Sequence, residues 1–197
     1  MGINHVGHAL LVRKLVGLLG ESADGGRVVG VSSFAWRGGW GSWDGSGSGT
    51  MKEGEKGRWV DCDGFGLGVV TRWLRYAESK LANVVYTREL AARYPGVMSV
   101  SVTPGFVDTG MVKGMGWCDR VGTRVLALMG GGMVSAEEGA ENQVWACLVG
   151  REGLVNGGLY DPVGVLCEEG GLGRVVRDRA VGERLWSWTE GIVGSWL

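Results

Sequence analysis

Apolar residues near the start of the chain fall three and four apart: Val6, Leu10, Leu11, Leu15, Val16, Leu18 and Leu19, with Arg13 and Lys14 between them. That spacing predicts a helix over residues 3–19, stopped near Gly20. The valine-rich run 27–33 (RVVGVSS), set off by Gly25 and Gly26, predicts a short strand buried on both faces. A longer helical pattern over 70–93 puts Ala77, Leu81, Val84 and Val85 on one face and ends ahead of Pro95-Gly96, where a helix is expected to stop. Residues 97–103 (VMSVSVT) alternate with period two before Pro104-Gly105, the pattern of a second strand. Ser135 with Glu138 three residues on forms a capping box that opens a third helix to about residue 149. Residues 157–162 (GGLYDP) predict a last short strand, and 174–193 an amphipathic helix.

The order helix, strand, helix, strand, helix, strand predicts an α/β fold of three parallel strands joined by crossovers and covered by helices. Residues 37–57 (RGGWGSWDGSGSGTMKEGEKG) break the pattern. Such a Gly/Ser-rich, nonperiodic stretch buries too little apolar surface to offset the entropy of ordering, so it reads as a flexible surface insertion. Residues 106–134, rich in Gly and Met, read as short helices in a mobile flap. No internal repeat appears, and 197 residues suit a single domain.

Composition narrows the function classes. Charged residues make up 21% of the chain and the net charge is -1, so no basic field exists to hold a nucleic-acid backbone. The 39 glycines mean abundant turns, yet without the triplet period of collagen. Cys62, Cys118, Cys147 and Cys167 show no C-x-x-C spacing, so reduced structural thiols and no metal centre are expected. His5 and His8, three apart without a third ligand in view, read as surface imidazoles. The first apolar run is far shorter than a membrane span, and the segment lacks the features of a secretory signal. A soluble, cytoplasmic protein with no membrane partner is expected.

The pattern richest in chemistry is Tyr76-Ala-Glu-Ser-Lys80 inside the long helix. Residues four apart lie one turn up the same face, about 6 Å along the axis, and an ammonium so placed favours the phenolate form of a tyrosine. Ser32 and Ser33 stand at the carboxyl end of the first strand, where open parallel sheets bind ligands. A serine hydroxyl there could hydrogen-bond a substrate carbonyl. Pro104-Gly-Phe-Val-Asp-Thr109 leaves the same end of the second strand. Two strand ends and the helix between them define one cleft.

These residues resemble the short-chain dehydrogenases/reductases, in particular their retinol-dehydrogenase-like branch with many fungal members. Asn4-His-Val-Gly-His8 resembles the family's N-H-x-G-H helix motif, and Val31-Ser-Ser33 its serine strand. Tyr76-Ala-Glu-Ser-Lys-Leu-Ala-Asn83 resembles the Y-x-x-S-K-L-A-N signature. Ser101-Val-Thr-Pro-Gly105 through Thr109 resembles the S-V-x-P-G-x-x-x-T turn, and Tyr160-Asp-Pro-Val-Gly164 the tail motif. The resemblance implies a Rossmann-type doubly wound parallel sheet and an oxidoreductase that interconverts a carbonyl and an alcohol by hydride transfer with NADP or NAD, NADP being favoured. It implies that Tyr76 is the general acid/base and that Lys80 tunes it while holding the nicotinamide ribose. Ser33 would polarise the carbonyl, Asn4 would anchor a proton-relaying water chain to Lys80, and Val107 and Thr109 would hold the nicotinamide carboxamide. The partner would be a small-molecule carbonyl or alcohol.

Members of this family carry a T-G-x-x-x-G-x-G turn after the first strand and an N-A-G turn after the fourth, and neither occurs here. The chain therefore reads as the C-terminal portion of such a domain, its first half missing, with the edge of its first strand left open to association or capture by another chain. The stretch between Ser33 and Tyr76 is also longer than the family's usual one. The alternative expectation is a catalytically inactive family member or scaffold that dimerises through the helices at 3–19 and 70–93. A Gly/Trp-rich binding module has only composition behind it.

Overall fold

The period-two segment becomes the central strand of the molecule. In the computed structural model, which describes residues 1–23, 25–39, 68–107 and 132–197, β2 (Met98–Val102) lies between β1 (Arg27–Val31) and β3 (Leu159–Asp161), parallel to both. β4 (Val165–Leu166) adds antiparallel to β3 through a tight turn. This fourth strand was not expected, since a two-residue strand carries no periodicity to read. Most of the 37–57 insertion and of the 106–134 flap lies outside the described residues, as do Thr109, Cys62 and Cys118. Cys147 and Cys167 are free thiols.

Helices cover both faces of the sheet. Met98, Val100 and Val102 project from β2 into a cluster with Ala146 and Leu154, on the side of α3 (Ala136–Leu148). Ser99 and Ser101 take the opposite face of β2 by alternation, and both are buried. That face meets α2 (Gly68–Arg93). Small side chains let the helix lie close. A Cβ built at Gly30 of β1 would come within 2.9 Å of Thr87 Oγ1 on α2, so any larger residue there would push helix and sheet apart. The capping box forms as expected, with Ser135 Oγ accepting from Glu138 N and the Glu138 carboxylate from Ser135 N.

β1 departs from the expectation of a strand buried on both faces. It ends at Val31, is half-buried along its length and exposed at its last residue, because among the described residues it has a strand on one side only. The strand buried throughout is β2, which has neighbours on both sides.

The helix expected over 3–19 begins as a π-helical segment, Gly2–Gly7, and continues as α1 (His8–Gly20). Its buried positions are His5, Ala9 and Val16, while Leu11, Leu15 and Leu18 face outward. The sequence around this helix is apolar on nearly every side, so the partner and not the pattern decides which stripe is covered. The final helix is broken at Asp178 into α4 (Arg174–Arg177) and α5 (Arg179–Val193), with Asp178 capping α5 through Ala180 N.

His5 is 1% exposed, which overturns its reading as a surface imidazole; His8 does lie outside the core. His5 fits the interior because both ring nitrogens have partners: Nδ1 lies 3.3 Å from Asn83 Oδ1 and Nε2 2.9 Å from Thr189 Oγ1 on α5. Its ring also meets Tyr86 edge-on and stacks on Trp188. Burial pulls its pKa down to about 4, so the imidazole is neutral in the fold.

At the carboxyl end of the sheet one carboxylate joins the strand tips. Asp161 on β3 accepts from Thr103 Oγ1, just past β2, at 2.8 Å and from Cys167 Sγ, just past β4, at 3.2 Å. It pairs at 3.0 Å with Arg37, on the 3-10 turn Phe34–Gly38 that follows β1. Burial by itself would raise the Asp161 carboxyl, but these hydrogen bonds and the guanidinium charge hold it below the usual carboxylate range. Burial, with the hydrogen bond to Asp161 and its charge, pushes the Cys167 thiol up to about 11.

Two outcomes follow. Below pH 6.5 an unfolded chain binds a proton on His5 that the fold refuses until about pH 4, so stability falls through that window by about 3 kcal/mol and levels off beneath it. Urea denaturation at a series of pH values reads this, and His5→Asn removes that part of the slope. Asp161→Asn takes a negative charge and an acceptor from Cys167, which lowers the thiol pKa and speeds its alkylation by iodoacetamide at pH 8.5, as read by peptide mass spectrometry.

Candidate active site

Tyr76, Ser79, Lys80 and Asn83 lie at i, i+3, i+4 and i+7 and so form one polar stripe along α2. Ser79 and Asn83 are buried, while Tyr76 and Lys80 are half-buried. The stripe runs past the carboxyl end of β1, and β1 answers with its own polar groups. Ser32 is buried and its Oγ donates to the Lys80 carbonyl at 2.9 Å. Lys80 Nζ donates to the Val31 carbonyl at 3.1 Å and stands 5.8 Å from the centre of the Tyr76 ring. Burial lowers the pKa of the Lys80 ammonium.

Ser33 closes the strand. Its Oγ accepts from Ala35 N at 3.3 Å and caps the Phe34–Gly38 turn. That fixes its backbone and leaves the hydroxyl proton free to be donated elsewhere. The turn is in turn anchored by Arg37 on Asp161, the guanidinium lying 4.5 Å from the Phe34 ring centre. Asn4 sits in the π-helical segment, a distortion frequent at functional sites. Its Nδ2 donates at 3.1 Å to Ser79 Oγ, which donates at 2.7 Å to the Tyr76 carbonyl. Asn4 therefore touches the helix turn that carries Tyr76 and Lys80.

Val107 bridges Val134 in parallel, with Val134 N donating to the Phe106 carbonyl. The Val107 side chain is seated over Gly139 of α3, where a Cβ would collide with it. Phe106 meets Phe34 with ring centres 5.4 Å apart, which joins this loop to the turn after Ser33. Between them opens a cavity of about 490 Å³ whose lining includes Phe34, Pro104, Phe106, Val134, Pro162 and Val163. Among the described residues no group of three or more His, Cys, Asp or Glu is placed to hold a metal ion.

The structure thus brings Asn4, Tyr76, Lys80 and the Ser32–Ser33 end of β1 to one place, with the Val107 loop linked to it through two rings; Thr109 lies outside the described residues. Sequence reasoning set Ser32 beside Ser33 at the strand end and read His5 as a surface group, and it gave no site role to Ser79, Asn83, Arg37 or Asp161. Two of these were within reach, because Ser79 and Asn83 occupy the remaining positions of the helix face that Tyr76 and Lys80 define. Arg37 and Asp161, 124 residues apart, left no local signal.

No family model matches the chain, but individual proteins do. Retinol dehydrogenase 12 of Bos taurus is 38% identical over 118 residues, which cover 57% of this chain and 30% of that protein. Retinol dehydrogenase 14 of Mus musculus is 31% identical over 202 residues, which cover 98% of this chain and 52% of that protein. The short-chain dehydrogenase/reductase drtF of Aspergillus calidoustus is 28% identical over 140 residues, 66% of this chain and 43% of that protein. The chain spans at most about half the length of these relatives. With the α/β sheet and the tyrosine-lysine helix face in place, these similarities make the chain a member of the short-chain dehydrogenases/reductases, on their retinol-dehydrogenase-like branch.

Proposed function

We propose that this chain serves an NAD(P)-dependent oxidoreductase that interconverts a small-molecule carbonyl and its alcohol, with Tyr76 as general acid/base. The observation that carries this reading is the Lys80 ammonium, held on the Val31 carbonyl one residue before the serine pair and 5.8 Å from the Tyr76 ring centre. Members of this family use NAD(P), which supplies or accepts the hydride when bound. The residues present fit its nicotinamide-ribose half. Lys80 offers three N–H donors at the sheet edge where β1 and β2 end, and the Phe106–Val107 loop borders the same mouth. For the phosphate half the sequence carries no T-G-x-x-x-G-x-G turn, so no contact to the phosphates is assigned.

In this reading Tyr76 gives its phenolic proton to the carbonyl oxygen during reduction and takes it back during oxidation. Lys80 stabilises the phenolate by its charge and donates to the ribose hydroxyls. Ser33 donates its hydroxyl proton to the carbonyl oxygen and orients the substrate. Asn4 anchors the water chain that returns the proton to Lys80, and Val107 with Thr109 receives the carboxamide. The cavity beside Phe34 and Phe106, mostly apolar but bordered by Glu138, Glu141 and Asp161, takes the substrate's body. A preference for NADP and action in the cytoplasm belong to the same proposal; among the described residues no helix is long and apolar enough to cross a membrane.

A second reading is a dimerising scaffold without turnover. It is favoured by the apolar side chains that α1 turns to solvent, Leu11, Leu15 and Leu18, and by Leu74 on α2. Titration calorimetry with NADPH and NADH separates the two: saturable submillimolar binding supports the oxidoreductase, and no heat with either supports the scaffold. Given turnover on a carbonyl, Tyr76→Phe lowers kcat by about 10²- to 10⁴-fold while the calorimetric affinity for NADPH stays put. Unchanged kcat in that variant removes Tyr76 from the chemistry.

A further inference from the structure

Beside Tyr76 and Lys80 the structure holds a chain of buried polar groups that the reaction does not use. It begins at Thr189 on α5, passes through His5 and Asn83, and ends on the carbonyl that also receives Lys80. Asn83 Nδ2 lies 3.4 Å from the Val31 oxygen and Lys80 Nζ lies 3.1 Å from it. Asn83 is buried, and His5 and Thr189 almost completely so.

The protons along this chain are fixed by elimination. A carbonyl oxygen only accepts, so the Asn83 amide turns its NH2 toward Val31 and its Oδ1 toward His5. The His5 nitrogen facing it, Nδ1, must then carry the ring proton. Nε2, left as the acceptor, takes the Thr189 hydroxyl proton. Were the amide reversed, its oxygen would face the lysine side and give the ammonium a partner of its own.

We propose that Asn83, its amide oriented by His5, is a positioning residue for Lys80: it shares the Val31 carbonyl with the ammonium and so keeps the amine loosely held and able to turn toward Tyr76 and a ribose. The proposal rests on the reading of Tyr76 and Lys80 as a working pair. Two donors on one acceptor each receive less than one donor would, and the positive end of the Asn83 dipole lies on the ammonium's side of the carbonyl. Burial already disfavours the charged amine, and Asn83 adds to that effect instead of relieving it. Other groups stand about the chain: the terminal amine and His8 lower His5 further, Tyr86 on α2 meets its ring, and among the described residues the Lys80 ammonium stands 5.8 Å from the Tyr76 ring centre.

The test reads Lys80 directly, without cofactor or turnover. In the full chain, carbon-13 NMR of the lysine ε-methylene gives the Lys80 titration midpoint, assigned with Lys80→Arg. Asn83→Leu makes Lys80 the sole donor to Val31 and raises the midpoint by about one pH unit; Asn83→Asp, which sets a carboxylate beside it, raises it further. A midpoint that stays or falls in a folded Asn83→Leu protein overturns the proposal. Should that variant not fold, the His5 tautomer in the unaltered protein decides, by nitrogen-15 NMR: protonation at Nδ1 supports the proposal and protonation at Nε2 overturns it. Loss of NADPH binding and turnover with the midpoints ordered as expected would sink the oxidoreductase reading alone.

Discussion

The close seating of α2 on the sheet is the constraint from which the rest of the molecule follows. Helix and strand approach at Gly30 until Thr87 Oγ1 occupies the space a side chain would need, and the small serines of β2 on that face permit it. At this separation Ser32 reaches the helix main chain and Lys80 reaches the strand main chain. The two hydrogen bonds run in opposite directions between the same pair of elements, so the helix has little freedom to slide along or roll on the strand. Tyr76, one turn earlier, inherits its position from them.

A second layer of order comes from groups far apart in the chain. Arg37 and Asp161 clamp the turn after β1 to the tip of β3, and His5 ties the start of the chain to α2 and α5. The first sets where Ser33 and Phe34 stand. The second fixes the face of α2 that carries Asn83 and Lys80. Both are polar contacts within or beside apolar packing, where the cost of leaving a group unpaired gives the arrangement its definition.

This division explains what the sequence disclosed. Periodicity showed where α2 and β2 lie, because each repeats its signal over its own length; a local capping box marked the start of α3, a short run between glycine and proline marked β3, and the spacing of Tyr76 and Lys80 is a property of one helix. The burial of β1 depends on whether a strand lies beside it, and that of α1 on which side meets α5, so local pattern misjudged both. His5 read as a surface group because its partner Thr189 is 184 positions away. The fourth strand, two residues long, rests on its turn and on β3 for its existence.

The Val31 carbonyl has a consequence for how this protein meets other chains. Even-numbered residues of β1 exchange hydrogen bonds with β2, as Gly26 and Ser32 show at its two ends, so the Val31 oxygen points away from the sheet. An outward main-chain oxygen on a border strand is an invitation to further strand pairing. Here an amine and an amide have already taken it up, so a ladder growing along this border would stall at the serine end. Among the described residues, the serine end of this border thus has its outward oxygen already satisfied by the side chains that shape the cleft.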